Sequence, residues 1–398
     1  MSDAVQSSGG PHLIWVYNAP VATTLAATSR LEVTNELRKM GWRVTLVAEG
    51  LAGRQEVRGV EVLCIPKPDI YLLGHCLFQL RLLALLAHEW SSTDVVLFHQ
   101  MSAPALLLLG LVRRLVHARV PLFVMDTRDV DVIAASRRDA VRVGYYKLAH
   151  RLANRWADGQ TAITPRMAGW LGIPSEQLWG TWPSGVSIDS FLPARAARRW
   201  PATGEPIRLI YVGALLPERN LLSLCRAVER ANTSQMAFEL TIAGDGRELN
   251  ALEQLTSGRQ SWLCVVPPMP HRQIPSLLAE AHVGVVSLAD PDDRKLQASS
   301  PIKLFEYMAA GLPILITRNA CYTDVVGTEE FAFCAQDPSV EELCAALRLV
   351  WQARASLDKM GSKAAAAVRA WTWRESAKKL SEALERGIAA YHDGCGRR

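Results

Sequence analysis

Residues 13–48, LIWVYNAPVATTLAATSRLEVTNELRKMGWRVTLVA, decide how the rest of the chain is read. A short apolar run from Leu13 to Asn18 is followed by a helical pattern from about Thr23 to Met40. That pattern stops at Gly41, and a second strand-like run spans Arg43 to Ala48. Strand, helix, strand, with glycine just past the helix, is the pattern of a right-handed parallel crossover. The alternation continues through strand-like Val60 to Ile65, a helix near Cys76 to Trp90, Val95 to His99, and a helix near Ala103 to Val116. It goes on through Pro121 to Met125, a long helix near Arg137 to Ala157, and Gln160 to Ile163. Such regularity predicts a doubly wound, mainly parallel sheet.

A polar stretch rich in proline and arginine, Pro193 to Pro206, interrupts the pattern, which then restarts. The second series reads Ile207 to Val212, a helix from about Arg219 to Ala231, Phe238 to Ala243, helix Arg247 to Leu255, and strand Trp262 to Val266. Helix His271 to Ala281, strand Val283 to Val286, helix Ile302 to Ala310 and strand Ile314 to Ile316 follow. Three helices close the chain, Val340 to Arg354, Leu357 to Ala370 and Trp373 to Ala390. The expected organisation is a first Rossmann-like α/β domain at 1–192, a linker at 193–206, a second such domain at 207–372, and a C-terminal helix and tail at 373–398 that crosses back to the first domain. Two doubly wound domains in tandem enclose a cleft, lined by the loops after Tyr17, His99, Ile163, Val212, Ala243, Val266 and Leu288, because open parallel sheets bind ligands at the carboxyl ends of their strands.

Composition fits this reading: at 398 residues, 49% hydrophobic and 21% charged, the chain is globular and long enough for two cores. A net charge of +5 is mild, and with no basic stripe or DNA-binding module in view nucleic acid is not expected as a partner. It suits phosphorylated ligands or an anionic membrane surface better. The eight cysteines show no C-x-x-C spacing and read as buried, reduced thiols. The polar N-terminus, Met1 to Pro11, does not read as a signal peptide, and the Leu-rich stretches 71–90 and 103–116 are broken by Arg81, His88, Arg113 and Arg114. The expected location is the cytoplasm, with the inner face of the membrane as the alternative.

The most informative chemistry lies in Ser299-Ser300-Pro301-Ile302-Lys303-Leu304-Phe305-Glu306-Tyr307-Met308-Ala309-Ala310-Gly311. Ser300 suits an N-cap, Pro301 the first helical position and Gly311 the left-handed position that ends a helix. A helix N-terminus at a strand edge suits a diphosphate, and Lys303 adds a full charge there. Glu306 falls on the apolar face of that helix, beside Ile302, Ala309 and Ala310. It is read either as a carboxylate at the edge of the buried stripe, snorkelling or paired with a lysine, or as the acceptor for a ligand's hydroxyl pair, as in ribose binding.

At these residues the chain resembles glycosyltransferase family 4 (group 1), retaining enzymes of the GT-B fold with two facing Rossmann-like domains. SPIKLFEYMAAGLPILIT (300–317) is similar to that family's donor-binding helix and strand. Tyr211-Val212-Gly213 with Glu218-Arg219-Asn220-Leu221 resembles its glycine and basic loop, and Leu240 to Gly246 its second strand and turn. Ser184 to Asp189 with Phe191 and Pro193 resembles the element that ends the first domain, and Asp126-Thr127-Arg128-Asp129 an Asp-rich loop found there. The resemblance implies that Glu306 binds the donor ribose, that Arg219 meets the diphosphate and that Gly213 lets the backbone approach the phosphates. Ser300, Lys303 and Gly244 become further donor contacts, and His99 a residue near the transferred sugar; the expected catalytic set is His99, Arg219 and Lys303.

Departures accompany the match. Ala298 stands eight residues before Glu306, where the family often has a second glutamate, and Ala214 follows Gly213, where many members have arginine. Asn18-Ala19-Pro20-Val21-Ala22 replaces the usual Gly-rich first loop. Asp290, Asp292 and Lys295 are candidates to compensate. The resemblance implies transfer of a sugar, with retention, from a nucleotide-sugar donor to the hydroxyl of a glycan or lipid-linked acceptor in polysaccharide, glycolipid or other glycoconjugate biosynthesis. No cofactor is expected, since the nucleotide-sugar is a substrate, and no metal; Asp129-Val130-Asp131 reads as a solvated or hydrogen-bonded loop. Two alternatives stay open: a nucleotide-sugar epimerase of the same fold, and a non-catalytic partner subunit. Arg113, Arg114, Lys147, Arg151 and Arg155 read either as a surface that meets anionic lipid or as ordinary solvated helix faces.

Overall fold

The computed structural model describes residues 10–21, 27–70, 73–116, 121–129, 137–233, 235–256, 261–290, 292–327 and 330–395. The chain forms two compact units, residues 1–184 with 373–398, and residues 185–372.

In the first unit the elements run β1 (His12–Pro20), α1 (Thr28–Lys39), β2 (Arg43–Glu49), β3 (Gly53–Val57), β4 (Val60–Ile65), α2 (Leu73–Glu89) and β5 (Val95–His99). They continue through α3 (Ala103–Val116), β6 (Leu122–Thr127), α4 (Arg137–Trp156), β7 (Gly159–Ala162), α5 (Pro165–Leu171) and β8 (Leu178–Thr181). The eight strands pair in the order β3-β4-β2-β1-β5-β6-β7-β8. All neighbours are parallel except β3 and β4, an antiparallel hairpin at the edge. Central β1 is buried on both faces, with Leu13, Ile14, Trp15 and Val16 at 0–1% exposure, as a parallel strand covered by helices must be. The polar hairpin strand β3 escapes a hydrophobicity reading. Arg58 and Gly59 between its strands both have positive φ, 52° and 75°, the geometry of a two-residue hairpin turn.

The second unit holds α6 (Leu192–Ala197), β9 (Ile207–Val212), α7 (Leu221–Ala231), β10 (Phe238–Ala243), α8 (Leu249–Thr256), β11 (Leu263–Val266), α9 (Ile274–Ala279) and β12 (Val283–Val286). Next come α10 (Arg294–Gln297), α11 (Ile302–Ala309), β13 (Ile314–Thr317), α12 (Ala320–Val326), β14 (Ala332–Ala335), α13 (Val340–Gln352) and α14 (Leu357–Ala367). Six strands pair in the order β11-β10-β9-β12-β13-β14, all parallel. The alternation of β9 divides the core: Leu209 and Tyr211 join the apolar layer with α7 and α13, and Ile210 joins the layer with α9, α11 and α14.

Helix α15 (Trp373–Cys395) belongs to the first unit. It packs on α1 and β8, where Trp42 Nε1 donates to Ser381 Oγ at 2.7 Å and Arg386 donates to the Trp179 carbonyl at 2.9 Å. A Cβ on Gly159 or on Gly387 would fall 2.1 or 2.2 Å from the Trp179 ring, so both positions need glycine to admit the indole.

The segment 193–206, expected as a linker, lies in the second unit. Arg198 donates there to the Leu278, Ala281, Ala310 and Gly311 carbonyls at 2.5–3.1 Å. One guanidinium thus serves the C-terminal ends of α9 and α11, whose last carbonyls lack helical partners. Asp126, expected in a loop, is in β6 and 2% exposed, while Val130 and Asp131 lie outside the described residues. Ala22 of the first loop is outside them too. Cys76 and Cys264 are exposed rather than buried. No helix among the described residues is long and apolar enough to cross a membrane.

Candidate functional site

In each sheet the strand order reverses at one place, between β1 and β5 and between β9 and β12, and ligands of open parallel sheets bind beyond the carboxyl ends at such a switch. In the second unit β12 pairs with β9 only at Val283–Leu209 and Gly284–Ile210. Beyond that the strands part, and Tyr307 of α11 fills the gap. Its hydroxyl accepts the Val212 N–H at 2.7 Å, and its ring lies where a Cβ on Gly284 would be. A backbone donor freed by the parting strands is thereby satisfied, and α11 is pinned at the sheet edge.

Helix α11 begins at Ile302, as the sequence pattern has it, but the capping differs: its N-cap is Pro301, with no side-chain cap, so Ser300 precedes the helix rather than capping it. A proline at the cap still supplies no N–H and leaves the following amides facing outward. At the other end Gly311 is left-handed at φ 68°, as expected.

Lys303, in the first turn, extends back over β9. Its Nζ donates to the Tyr211 hydroxyl at 2.9 Å and stands 4.2 Å from that ring's centroid. The Tyr211 hydroxyl in turn donates to the Ala214 carbonyl at 2.8 Å. Burial, with Arg219 adding and Glu306 opposing, lowers the Lys303 ammonium to about 7. Gly213 takes φ 144°, and a Cβ there would sit 2.6 Å from Lys303 Nζ. The backbone conformation requires the glycine, and a side chain there would also displace the ammonium. Gly244, at φ 152°, has a different reason: a Cβ would strike the Gly213 carbonyl at 1.9 Å, so it lets one loop lie on the other.

Arg219 ends a short 3-10 turn, Pro217–Arg219, and left-handed Asn220 (φ 55°) starts α7 at Leu221, two residues after the sequence-based start. The Ala289 N–H donates to the Glu218 carbonyl at 3.1 Å and joins this turn to the loop after β12. The Arg219 side chain hydrogen-bonds the Tyr322 hydroxyl, and its buried Nε has no hydrogen-bond partner among the described residues.

Glu306 is 9% exposed and pairs with His271, Nε2 to Oε1 at 2.6 Å. The expected lysine partner is replaced by a histidine that follows β11 and meets the Phe191 ring edge-on. Ala298, where a second carboxylate was sought, is 3% exposed at the end of α10. Ala214 is exposed. Asp290 Oδ1 accepts the Asp292 N–H, an exposed local turn. Among the described residues no group of three or more His, Cys, Asp or Glu side chains is placed to hold a metal ion.

The second unit therefore brings Gly213, Arg219, Lys303 and Glu306 to one sheet edge, with Gly244 beneath the first of these. The tyrosines 211, 307 and 322, His271 and Arg198 complete the arrangement. Sequence reading gave the tyrosines no role, since Tyr211 and Tyr307 sit in apolar runs and read as core and Tyr322 belongs to no motif.

His99 lies in the first unit, at the end of β5. Its Nδ1 accepts the Met101 N–H at 3.3 Å, which leaves the ring proton on Nε2. Burial, with Arg30 and His150 adding, lowers it to about 3. The ring is neutral near pH 7 and offers a donor, not a protonated acid. Next to it Asp126 Oδ1 accepts from Thr161 Oγ1 (2.7 Å) and Trp182 Nε1 (3.0 Å), and Arg128 lies 3.5 Å over the Trp182 ring. Burial raises the Asp126 carboxyl against the pull of Arg128 and Arg30. Its partners make Asp126 a buried structural anchor.

Residues 195–367 match the model of the family Glycosyl transferases group 1. No curated protein sequence matches the chain. Solved structures share the whole fold. Sucrose-phosphate synthase from Thermosynechococcus elongatus is 16% identical with a TM-score of 0.72, over 96% of this chain and 100% of that one. The catalytic domain of starch synthase IV from Arabidopsis thaliana, bound to ADP and acarbose, is 12% identical at 0.71, over 96% and 100%. Anabaena HepE in complex with UDP and glucose is 14% identical at 0.68, over 94% and 99%. The two α/β units thus have the GT-B glycosyltransferase fold.

Proposed function

We propose that the chain is a retaining glycosyltransferase that takes a sugar from a nucleotide-sugar donor held by the second unit. The observation that carries this reading is the Lys303 ammonium, held from the first turn of α11 beside Gly213 at the end of β9, with Arg219 close enough to act on its charge. Two cations by a helix start and a glycine at a strand end suit a diphosphate. Arg219 Nε, a buried donor without a partner among the described residues, is the kind of group a phosphate oxygen completes. Glu306 is placed to accept from a ribose diol with the oxygen His271 leaves over. The family match of this unit and the UDP and ADP complexes of structural relatives support the same ligand class.

The acceptor hydroxyl attacks the anomeric carbon on the face the diphosphate leaves. The carbon–oxygen bond to the diphosphate breaks as the new glycosidic bond forms, and a departing phosphate oxygen takes the hydroxyl proton. Arg219, Lys303 and the helix amides stabilise the charge that grows on the leaving group, so catalysis is electrostatic and positional and calls for no metal ion. The acceptor class is a glycan or lipid-linked saccharide.

The test is thermal-shift and calorimetric titration with UDP, GDP and ADP, free and as sugar conjugates, on the wild type and on Glu306→Ala. We expect one nucleotide to stabilise the wild type and to bind the variant about 10- to 100-fold more weakly, the cost of ribose hydrogen bonds to a charged partner. Conversion of a donor without any acceptor indicates an epimerase; no response to any nucleotide indicates a non-catalytic subunit.

A further inference from the structure

Helix α2 is apolar on both sides. Phe78, Leu82 and Leu86 face the core at 0–1% exposure. On the opposite face Leu73, Leu77, Leu80, Ala84 and Ala87 recur at spacings of four and three, one continuous stripe. Leu73 is 50% and Leu80 63% exposed, and both alanines are exposed. A helix on a solvated surface carries polar residues there. Scattered exposed leucines are ordinary, whereas a stripe marks a contact.

Helices α2, α3 and α4 lie on one side of the first unit's sheet, since residues of all three join a single core layer with Ile14, Val16, Phe98 and Phe123. Outward from that layer, Leu108 of α3 is 57% exposed and Leu148 of α4 47%. Lys147, Arg151 and Arg155 are exposed around Leu148. Arg142 is exposed and paired with Asp139, and Arg81 donates to the Pro66 carbonyl. Across the three helices the sequence places nine lysines and arginines against two acidic residues. That net +7 exceeds the +5 of the whole chain, so the remainder is slightly acidic.

We propose that this three-helix face docks on an anionic lipid bilayer, with the α2 stripe and its neighbouring leucines entering the headgroup layer and the α4 cations meeting lipid phosphates. Apolar anchoring and lipid charge act together there, and each cation near such a surface adds attraction. A second copy of the chain does not fit, because a two-fold contact through this face sets two like-charged patches against each other. A nucleic acid answers the cations and leaves the leucines unused.

The inference does not depend on the donor-site reading, and its test needs no donor. The full chain is co-sedimented at low salt with vesicles of phosphatidylcholine alone or with phosphatidylglycerol, as wild type, Leu80→Glu, and Lys147→Glu with Arg151→Glu. All three positions are exposed, so unchanged circular dichroism and Tm are expected and checked first. Expected is sedimentation with the anionic vesicles, lost at high salt and weakened at least about tenfold in each variant. Equal binding to both vesicle types, binding to neither, or unchanged binding of the charge-reversed variant overturns the proposal. So does retention of a DNA duplex without vesicle binding, which assigns the face to nucleic acid.

Discussion

Lys303 is the residue whose surroundings change its chemistry most, and its pH behaviour has two signs. In the unfolded chain its ammonium titrates near 10.5, in the folded one at about 7. Between these values the unfolded state binds the extra proton, so stability rises with pH across that window, and below about 7 the cost of the buried charge is fully present. Lys303→Met is expected to flatten this rise, read from urea midpoints at a series of pH values. Nucleotide binding runs the other way. If Lys303 meets the diphosphate, the anion favours the charged form, so affinity falls as pH rises above about 7. Calorimetry in buffers of different ionisation enthalpy should then show proton uptake, absent in Lys303→Arg. At Gly213 an alanine meets both a left-handed φ of 144° and the Lys303 ammonium at 2.6 Å. We expect a loss of about 1–3 kcal/mol in stability and weaker nucleotide binding, measured by denaturant titration and thermal shift. Glu306 shows how far a single residue is legible: its place on an apolar helix face was readable and called for a partner, whereas His271, 35 positions away, was brought to it only by folding.

Among the elements, α11 owes its position to contacts that no local pattern announces. Tyr307 wedges between β9 and β12, and Arg198 closes the ends of α9 and α11. Removing that guanidinium leaves several carbonyls unsatisfied. Arg198→Ala should therefore cost about 2–3 kcal/mol, read as a lower urea midpoint with unchanged slope. Segment 193–206 read as a linker because it is polar and proline-rich. Composition reports solvent preference, and it is silent on an arginine that spends its donors on helix ends. The strongly periodic elements were legible almost to the residue, β5, β9, β10 and β12 among them, since buried parallel strands leave unbroken apolar runs. Those missed, β3, β8, β14, α5, α6, α10 and α12, are short or at edges, where the hydrophobic signal is weakest.

For the whole molecule, α15 is the segment whose loss is most telling. It is last in the chain yet belongs to the first unit, where Leu380 and Leu384 are 0% exposed and Ala377 is fully covered. Ending the chain at Thr372 removes these residues and uncovers Trp42 and the apolar surface they cover; the burial of the two leucines alone is worth about 1.5–3 kcal/mol each. Such a chain should unfold at lower urea, seen first in tryptophan fluorescence, since Trp42 and Trp179 lose their cover. Charge is likewise a property of the assembled unit. Spread along the sequence, +5 on 398 residues looks unremarkable, but the exposed Lys147, Arg151 and Arg155 stand beside the exposed leucines of the face proposed to meet lipid.

By itself the sequence determined the alternation of strands and helices, the two α/β series, the glycine positions at the strand edges and the helix that carries Lys303 and Glu306. These follow from periodicity, glycine's backbone freedom and helix geometry, which act over a few neighbouring residues. Only the tertiary structure decided that Tyr211 shares the Lys303 ammonium, that His271 takes one oxygen of Glu306, and that Arg198 ties two helix ends. Each of these joins groups distant in the chain, where the partner is chosen by which elements the sheets bring side by side and by the need to satisfy a buried polar group once they meet.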